Sequence, residues 1–453
     1  MPKIRNDAPY DPTDRESLLS YSLRLKDKTL GEVCDVALLG LSSKDKGKFG
    51  SILERGYYRI EKNNENKPDF EELGIELKTT PMVRTTKKKY RPKERLSLNM
   101  IDYCGLIEKG FEGSLLKKNR ELLVVFYLHD DQLVVEDRRI LKVVLWTFSE
   151  EDIRVIEEDW NTIANMVLEG RAHEISCGQT YYLEAAPKGA GGGKGMKKQP
   201  YSEIKAKPRA FALKQCYVQK IWESSRDESI IKGIDTWGRE KTFEELIIER
   251  FEPYVGMRDK DIMDALSIPH SKKDKGKYAR MARRIMGVSG NKVEEFEKAD
   301  VEMKTIRLKH NGVPKEDMSF PFFKFEEIAS GSWDESELKE SLDKKFLLII
   351  FQISKSGDVF FKAAKFWNMP YADLEVVRGE WEETAKRIRM NELDNLPKKS
   401  ETNIIHVRPH ARNKSDTYVG EDGNTYEKKG FWLGSMYLKG VVRELCEKDS
   451  TRK

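Results

Sequence analysis

Residues 68–79 read P-D-F-E-E-L-G-I-E-L-K-T. Alternation predicts a strand in the second half of this stretch, because side chains two apart on a strand share a face. Leu73, Ile75 and Leu77 then pack on one side, Glu76 and Lys78 stand together on the other, and Asp69 lies just ahead. Two carboxylates with a lysine beside them are the groups that a divalent cation and an attacking water need for phosphodiester hydrolysis. An isolated E-x-K is far more often an ordinary half-buried strand with a solvated face. The rest of the chain has to decide between the two.

Upstream, residues 14–40 are expected to be helical with a turn at Gly31, and Phe49, Ile52, Leu53 and Tyr57 recur at helical spacing. That second helix carries Glu54 between Gly50 and Gly56, small residues that let another backbone come close. Downstream, residues 79–95 are basic and turn-rich and read as an exposed loop. E-L-L-V-V-F-Y-L (Glu121–Leu128) and residues 140–148 read as strands, and Ser149 followed by E-E-D reads as a helix N-terminus. That helix should stop near Gly170, and a strand is expected at 180–183. P-K-G-A-G-G-G-K-G (187–195) is glycine-rich but lacks the G-K-[ST] ending of a nucleoside triphosphate loop. A strand-like P-R-A-F-A-L-K and an amphipathic helix near residues 216–221 close this half, and polar residues 223–240 are expected to link it to the next.

Beyond that linker the chain repeats itself. K-D-K-G-K-F (44–49) returns as K-D-K-G-K-Y (273–278), and G-I-E-L-K-T (74–79) as D-V-E-M-K-T (300–305). E-L-L-V-V-F-Y has its counterpart in F-L-L-I-I-F-Q (346–352), E-D-W in G-E-W (379–381), and Ala186-Pro187-Lys188 in Arg408-Pro409-His410. Ordered matches at a spacing of roughly 225 residues mean a tandem duplication. The copies differ where chemistry would be done. Arg283 stands in the place of Glu54, Ala279 in that of Gly50 and Glu295 in that of Asp69, while Glu302 and Lys304 keep the E-x-K. An arginine puts a fixed cation where a metal ion would sit, so the second copy is expected to keep the fold and a basic surface and to have lost catalysis.

Composition limits the alternatives. A chain of 453 residues is too long for one core. With 38% hydrophobic and 35% charged residues it fits a globular protein with a heavily charged surface. No apolar run reaches the length of about 18 residues that a membrane helix needs, and residues 1–14 lack the apolar core of a signal peptide. Five scattered cysteines without C-x-x-C spacing point to a reducing, cytoplasmic compartment and away from zinc. The six histidines lie apart, and H-E-I-S at His173 is not H-E-x-x-H. The net charge of +5 hides basic clusters, among them 44–48, 84–89, 194–207 and 272–277, that suit a polyanion.

K-G-x-x-G-x-x-L-E (Lys46, Gly47, Gly50, Leu53, Glu54) followed by D-x6-E-x-K (Asp69, Glu76, Lys78) resembles the MutH family of GATC-specific endonucleases. The likeness continues through Leu145-Trp146, Glu158-Asp159-Trp160, Tyr182-Leu183 with Pro187-Lys188, and Pro208-Arg209 with Phe211. The two-copy arrangement resembles the restriction enzymes of the Sau-three-AI type more than single-domain MutH. The resemblance implies an α/β fold in each half, a restriction-endonuclease-like mixed sheet flanked by helices. Residues 1–222 would form a catalytic domain, 223–240 a linker and 241–453 a degenerate DNA-binding domain. It implies Mg²⁺-dependent cleavage of double-stranded DNA before the G of GATC, self-association on DNA, and a cognate DNA methyltransferase as functional partner. Asp69 and Glu76 would hold the metal with Glu54, and Lys78 would orient the attacking water. Either Lys117 or Lys118, the latter preferred, would meet transition-state charge. Lys188, next to Pro187, would read base edges. Lys46, Lys194, Lys197 and Arg209 would hold phosphates, with Lys304, Arg408 and His410 on the second DNA-binding surface. MutH has a tyrosine, linked with sensing adenine methylation, where this chain has Ala212, and an R-P-K triplet where this chain has A-P-K. These departures favour a restriction enzyme over the rivals, a repair nickase of hemimethylated GATC or a catalytically dead DNA-binding protein.

Overall fold

The computed structural model describes residues 4–447 apart from 6, 35–46, 62–65, 86–88, 189–194, 225–240, 270–275, 288–293, 412 and 414. The chain divides into two compact units, one of residues 1–175, 180–232 and 297–299, the other of 176–179, 233–296 and 300–453. Most of the expected linker, residues 225–240, lies outside the described residues.

In the first unit, α1 (Arg15–Leu23) and α2 (Lys48–Ile52) precede β1 (Ile75–Arg84). A hairpin leads to β2 (Tyr90–Pro92), followed by β3 (Leu96–Met100), β4 (Glu121–Leu128) and β5 (Ile140–Thr147). The main sheet has the order β2-β1-β4-β5, with β1 and β4 parallel and the other pairs antiparallel. Strand β4 is apolar from Leu122 to Leu128 because its centre is covered on both faces, as parallel strands generally are. Helix α3 (Glu150–Leu168) starts as expected: Ser149 accepts the Asp152 N–H, and three carboxylates occupy the first turn, where the helix dipole favours them. A second sheet of order β3-β9-β6 is built from β6 (Leu183–Pro187) and β9 (Arg209–Leu213), with the hairpin β7 (Lys197–Gln199) and β8 (Ser202–Ala206) between them. Helix α4 (Gln215–Glu223) closes the unit. Leu18, Ile52, Leu53, Tyr58, Phe70, Ile75, Leu77, Leu123 and Val125 form one core cluster behind β1.

The second unit repeats this plan with α5 (Lys277–Ile285), β10 (Val301–Leu308), β11 (Met318–Phe323), α6 (Glu337–Leu342), β12 (Lys345–Ile353) and β13 (Val359–Trp367). It continues through α7 (Tyr371–Arg389), β14 (Ile405–Pro409), the hairpin β15 (Thr417–Val419) and β16 (Thr425–Glu427), β17 (Lys429–Leu433) and α8 (Ser435–Glu447). The duplication holds at the level of register, with one correction: the sequence match sets Glu121 against Phe346, whereas the strand pairing sets it against Lys345, one residue earlier. Ile75 pairs with Glu121 in parallel β1 and β4, and Val301 with Lys345 in parallel β10 and β12. Pro187 faces Arg209 across β6 and β9, and Pro409 faces Lys429 across β14 and β17. Even a capping carboxylate is kept in place, buried in the first unit and half-buried in the second. Asp159 on α3 accepts the N–H groups of Tyr181, Tyr182 and Leu183 at 2.6–2.8 Å, and Glu380 on α7 accepts those of Asn403, Ile404 and Ile405 at 2.6–3.2 Å. The fold is thus a mixed α/β one, duplicated in tandem.

Several local expectations need correction. Of the helix expected over 14–40, the described residues form α1 and a single turn, Leu30–Val33, with Asp27 in a left-handed conformation between them, and residues 35–40 lie outside the described residues. Residues 79–95 are no free loop: β1 runs on to Arg84 and pairs antiparallel with β2. The strand expected at 180–183 begins only at Leu183, since the amides before it are engaged by Asp159.

Candidate active site

Gly74 ends the short turn Glu71–Leu73 at φ +69°, a left-handed conformation that glycine adopts without steric penalty, and sets the chain onto β1. Its counterpart Asp300 takes φ +52°, tolerable for aspartate but less easily reached. From this turn Asp69 doubles back along the strand. The Asp69 N–H donates to Glu76 Oε2 (3.1 Å), and the Leu77 N–H donates to Asp69 Oδ2 (3.0 Å). Ile75 and Leu77 point into the core, so Glu76 and Lys78 share the other face as their spacing requires. Lys78 Nζ lies 2.8 Å from Glu76 Oε1, and Glu76 is only 3% exposed.

Glu54 reaches the same cavity from a π-helical turn, Leu53–Tyr57, that continues α2. The widened turn has one residue more than an α-helical turn, a local distortion common at functional sites. Gly50 lets this element lie against β1, since a Cβ there would come within 3.2 Å of Thr79 Oγ1. From the other side comes Lys118, in the turn Lys117–Asn119 that feeds β4, with Nζ 3.4 Å from Glu76 Oε1. Of the two adjacent lysines it is Lys118 that lines the cavity with Glu54, Asp69, Glu76 and Lys78. The space measures about 680 Å³ and opens to solvent, room enough for a strand of polyanion.

The electrostatics are those of a cation site. Burial pushes the Asp69 carboxyl up to about 7, helped by the charges of Glu76 and then Glu54, against the pull of Lys78 and the Leu77 N–H. A divalent ion would remove that repulsion, and the donors are hard oxygens of the kind Mg²⁺ prefers. Among the described residues no three His, Cys, Asp or Glu side chains close into a cage that could hold an ion unaided.

The mouth of the cavity is formed by β3 and β6. Lys188, just past Pro187, donates from Nζ to Ser97 Oγ at 2.5 Å, and burial lowers its pKa. Arg95 pairs with the buried Glu184 at 2.8 Å. Neither Arg95 nor Ser97 stood out in the sequence, where both fall at the edge of a basic, loop-like stretch. Lys197 is exposed on β7, away from the cavity lining. Lys46 and Lys194 lie outside the described residues. Arg209, expected to hold a phosphate, is instead 7% exposed and donates to the carbonyls of Ala185 (2.6 Å) and Ile175 (2.5 Å). It ties β6 and β9 together, and its guanidinium is not presented to a ligand.

The second unit carries the altered residues on two helices and keeps the E-x-K on the equivalent strand. Lys304 Nζ pairs with Glu302 Oε1 at 2.8 Å on β10, and Arg283 lies on α5. Glu295 sits in the helix Glu294–Ala299, its side chain outside the described residues. Register places Leu342, 1% exposed, where Lys118 stands. Arg408 pairs with Asp317 at 2.9 Å and stacks over Trp432, with its guanidinium carbon 5.0 Å from the ring centroid. The ring of His410 lies 5.7 Å from that of Trp432. This aromatic–cation group fills the place of Ala186 and Ala212.

Comparison with known proteins adds an independent line. The family model of the DNA mismatch repair enzyme MutH matches residues 58–159 and again 288–380, one segment in each unit. The chain is 32% identical to the type II restriction enzyme Sau3AI of Staphylococcus aureus over 465 aligned positions, covering 89% of this chain and 93% of that protein. It is 28% identical to the DNA mismatch repair proteins MutH of Escherichia coli K12 and of Shigella boydii serotype 4, over 46% of this chain and 92% of each of theirs.

Proposed function

The chain belongs to the MutH family, and from that premise we propose that it is a type II restriction endonuclease cleaving double-stranded DNA before the G of GATC. It is a site-specific deoxyribonuclease, and its first unit is the one that cuts. The observation that carries this reading is the convergence of Glu54, Asp69, Glu76, Lys78 and Lys118 on one cavity. The duplicate, built on the same strand pairing, replaces Glu54 by Arg283 and Lys118 by Leu342.

Asp69 and Glu76 would hold Mg²⁺, with Glu54 contributing directly or through a water. Bound there, the ion supplies Lewis-acid polarisation of the scissile phosphate. Lys78, held beside Glu76, would orient the attacking water and stabilise the negative charge that grows on its oxygen. Lys118 faces the charge that builds on the phosphoryl oxygens, where a preplaced cation acts most strongly. Lys188 enters the major groove to donate to guanine O6 or N7. Its amine sheds hydration in the folded protein already, so less remains to be removed on binding. The second unit binds DNA through a surface including Lys304, Arg408 and His410 without cutting it, and promotes assembly of two molecules on DNA. A cognate methyltransferase would protect the host's own sites.

Digestion of unmethylated, hemimethylated and fully methylated GATC duplexes with Mg²⁺ tests the reading. Double-strand cuts in unmethylated DNA are expected. Nicks confined to the unmodified strand of the hemimethylated duplex would make the protein a repair nickase instead.

A further inference from the structure

Beneath the site lies a run of side-chain amides that the chemistry above does not use. Asn119, 1% exposed, follows Lys118 directly, and its Nδ2 donates to Leu115 O (2.8 Å) and Asn99 Oδ1 (2.9 Å). Asn99 Nδ2 donates in turn to Asn66 Oδ1 and to Ser114 O, each at 2.9 Å. Ser114 Oγ accepts the indole N–H of Trp160 at 2.8 Å. A continuous path of hydrogen bonds thus joins α3 and β3 to the turn that carries Lys118. Asn99, Ser114 and Lys118 also line a second cavity, of about 420 Å³, and Lys118 is shared with the carboxylate cavity.

The duplicate separates what the fold needs from what the site needs. Met100 faces Ala210 in one unit and Phe322 faces Gly430 in the other, so Pro321 stands where Asn99 does. Ile75 pairs with Glu121 and Val301 with Lys345, so Leu342 and Asp343 take the places of Lys118 and Asn119. Trp381, the counterpart of Trp160, has its buried indole N–H without a hydrogen-bond partner. Strands and registers are the same, yet the positions of Asn99, Lys118 and Asn119 have all changed; a lysine, Lys344, remains two residues after Leu342, where it pairs with Asp300 at 3.3 Å. Buried amides are costly to place unless fully engaged, and the fold forms without them.

We propose that Asn99 and Asn119 are positioning residues that fix Lys118 on Glu76 for the cut. This rests on the reading of Lys118 as part of the cutting site. A lysine has many rotamers and a compact charge, so its aim depends on the backbone that carries it. Asn119 pins that backbone to β3 through Asn99, and Nζ then stands 3.4 Å from Glu76 Oε1.

The test is a double-mutant cycle on the full chain, with Asn99→Ala, Lys118→Ala and the double variant. Single-turnover cleavage of a GATC duplex in Mg²⁺ is read beside duplex binding in Ca²⁺ and the melting temperature. Asn99→Ala should slow cleavage about tenfold or more, as loss of a supporting hydrogen bond does at metal sites, with Ca²⁺ binding unchanged. The double variant should then be no slower than Lys118→Ala alone. Multiplying costs, or a wild-type rate for Asn99→Ala beside an impaired Lys118→Ala, would overturn the inference and leave the proposed cutting site standing. A wild-type rate for Lys118→Ala would overturn both the inference and the role given to Lys118. Should Lys118→Ala cut too slowly to measure, a crystal structure of Asn99→Ala decides. Displacement of Nζ from Glu76 supports the proposal, and an unmoved lysine refutes it.

Discussion

At Asp69 the chain keeps a largely buried carboxylate among other carboxylates, an arrangement that a proton or a cation relieves. Its pKa is about 7, raised by burial and by Glu76 and Glu54. Because the folded value exceeds the unfolded one of about 4, the metal-free protein binds more protons than the unfolded chain between those values. It therefore loses stability as pH rises from about 4 toward 7. The charged form is also the one that binds a cation, so Mg²⁺ affinity should rise as pH passes through about 7, with proton release on binding. Calorimetric titration at pH 6 and 8, in buffers of different ionisation enthalpy, checks both; an affinity that ignores pH would count against Asp69 as a ligand. Glu76 and Lys78 could be set on one face from sequence because strand alternation fixes which side chains meet, whereas Asp69 meets them only because the turn at Glu71–Leu73 folds it back. Arg209 could not, since nothing in P-R-A-F says whether an arginine faces solvent or two buried carbonyls.

At the scale of elements, the start of the strand that carries Pro187 is held by a carboxylate of the E-D-W motif, Asp159. Asp159 gathers three amide N–H groups at the start of β6, and Glu380 does the same for β14. Removing one such acceptor leaves buried donors that each cost about 1–3 kcal/mol. Asp159→Ala should therefore destabilise the protein by about 3 kcal/mol or more, seen as a drop of the melting temperature of roughly 10 °C. Glu380→Ala, which frees one exposed and two part-buried amides, should lower the melting temperature by less, and unchanged melting in Asp159→Ala would refute the capping role. Strands β4, β5 and helix α3 were legible because long apolar runs and a good N-cap dominate their neighbourhoods. The extension of β1 to Arg84 was hidden, because pairing with β2 holds a segment whose basic composition alone suggests a loop.

Across the whole molecule, the duplication was readable before any coordinates, since ordered motif matches survive where overall similarity fades. What sequence left open was how far the second copy has diverged. Its strands keep register, while its counterparts of Glu54, Lys118 and Asn99 have changed to Arg283, Leu342 and Pro321. If the second unit engages DNA and promotes assembly, a plasmid with two GATC sites should be cut several-fold faster per site than one with a single site, an effect of raised effective concentration. Equal rates would argue against assembly through that unit.

The central claim is that one copy of the E-x-K strand cuts and the other does not. The most direct measurement is digestion of one GATC plasmid, with Mg²⁺ and with EDTA, by the Asp69→Ala and Glu302→Ala variants side by side. Asp69→Ala should lose cleavage by roughly a thousandfold or more, as expected when metal-dependent stabilisation worth several kcal/mol is removed, while still binding the GATC duplex. Glu302→Ala should keep the capacity to cut in Mg²⁺. Cleavage that survives Asp69→Ala, or that is abolished by Glu302→Ala, would contradict the account.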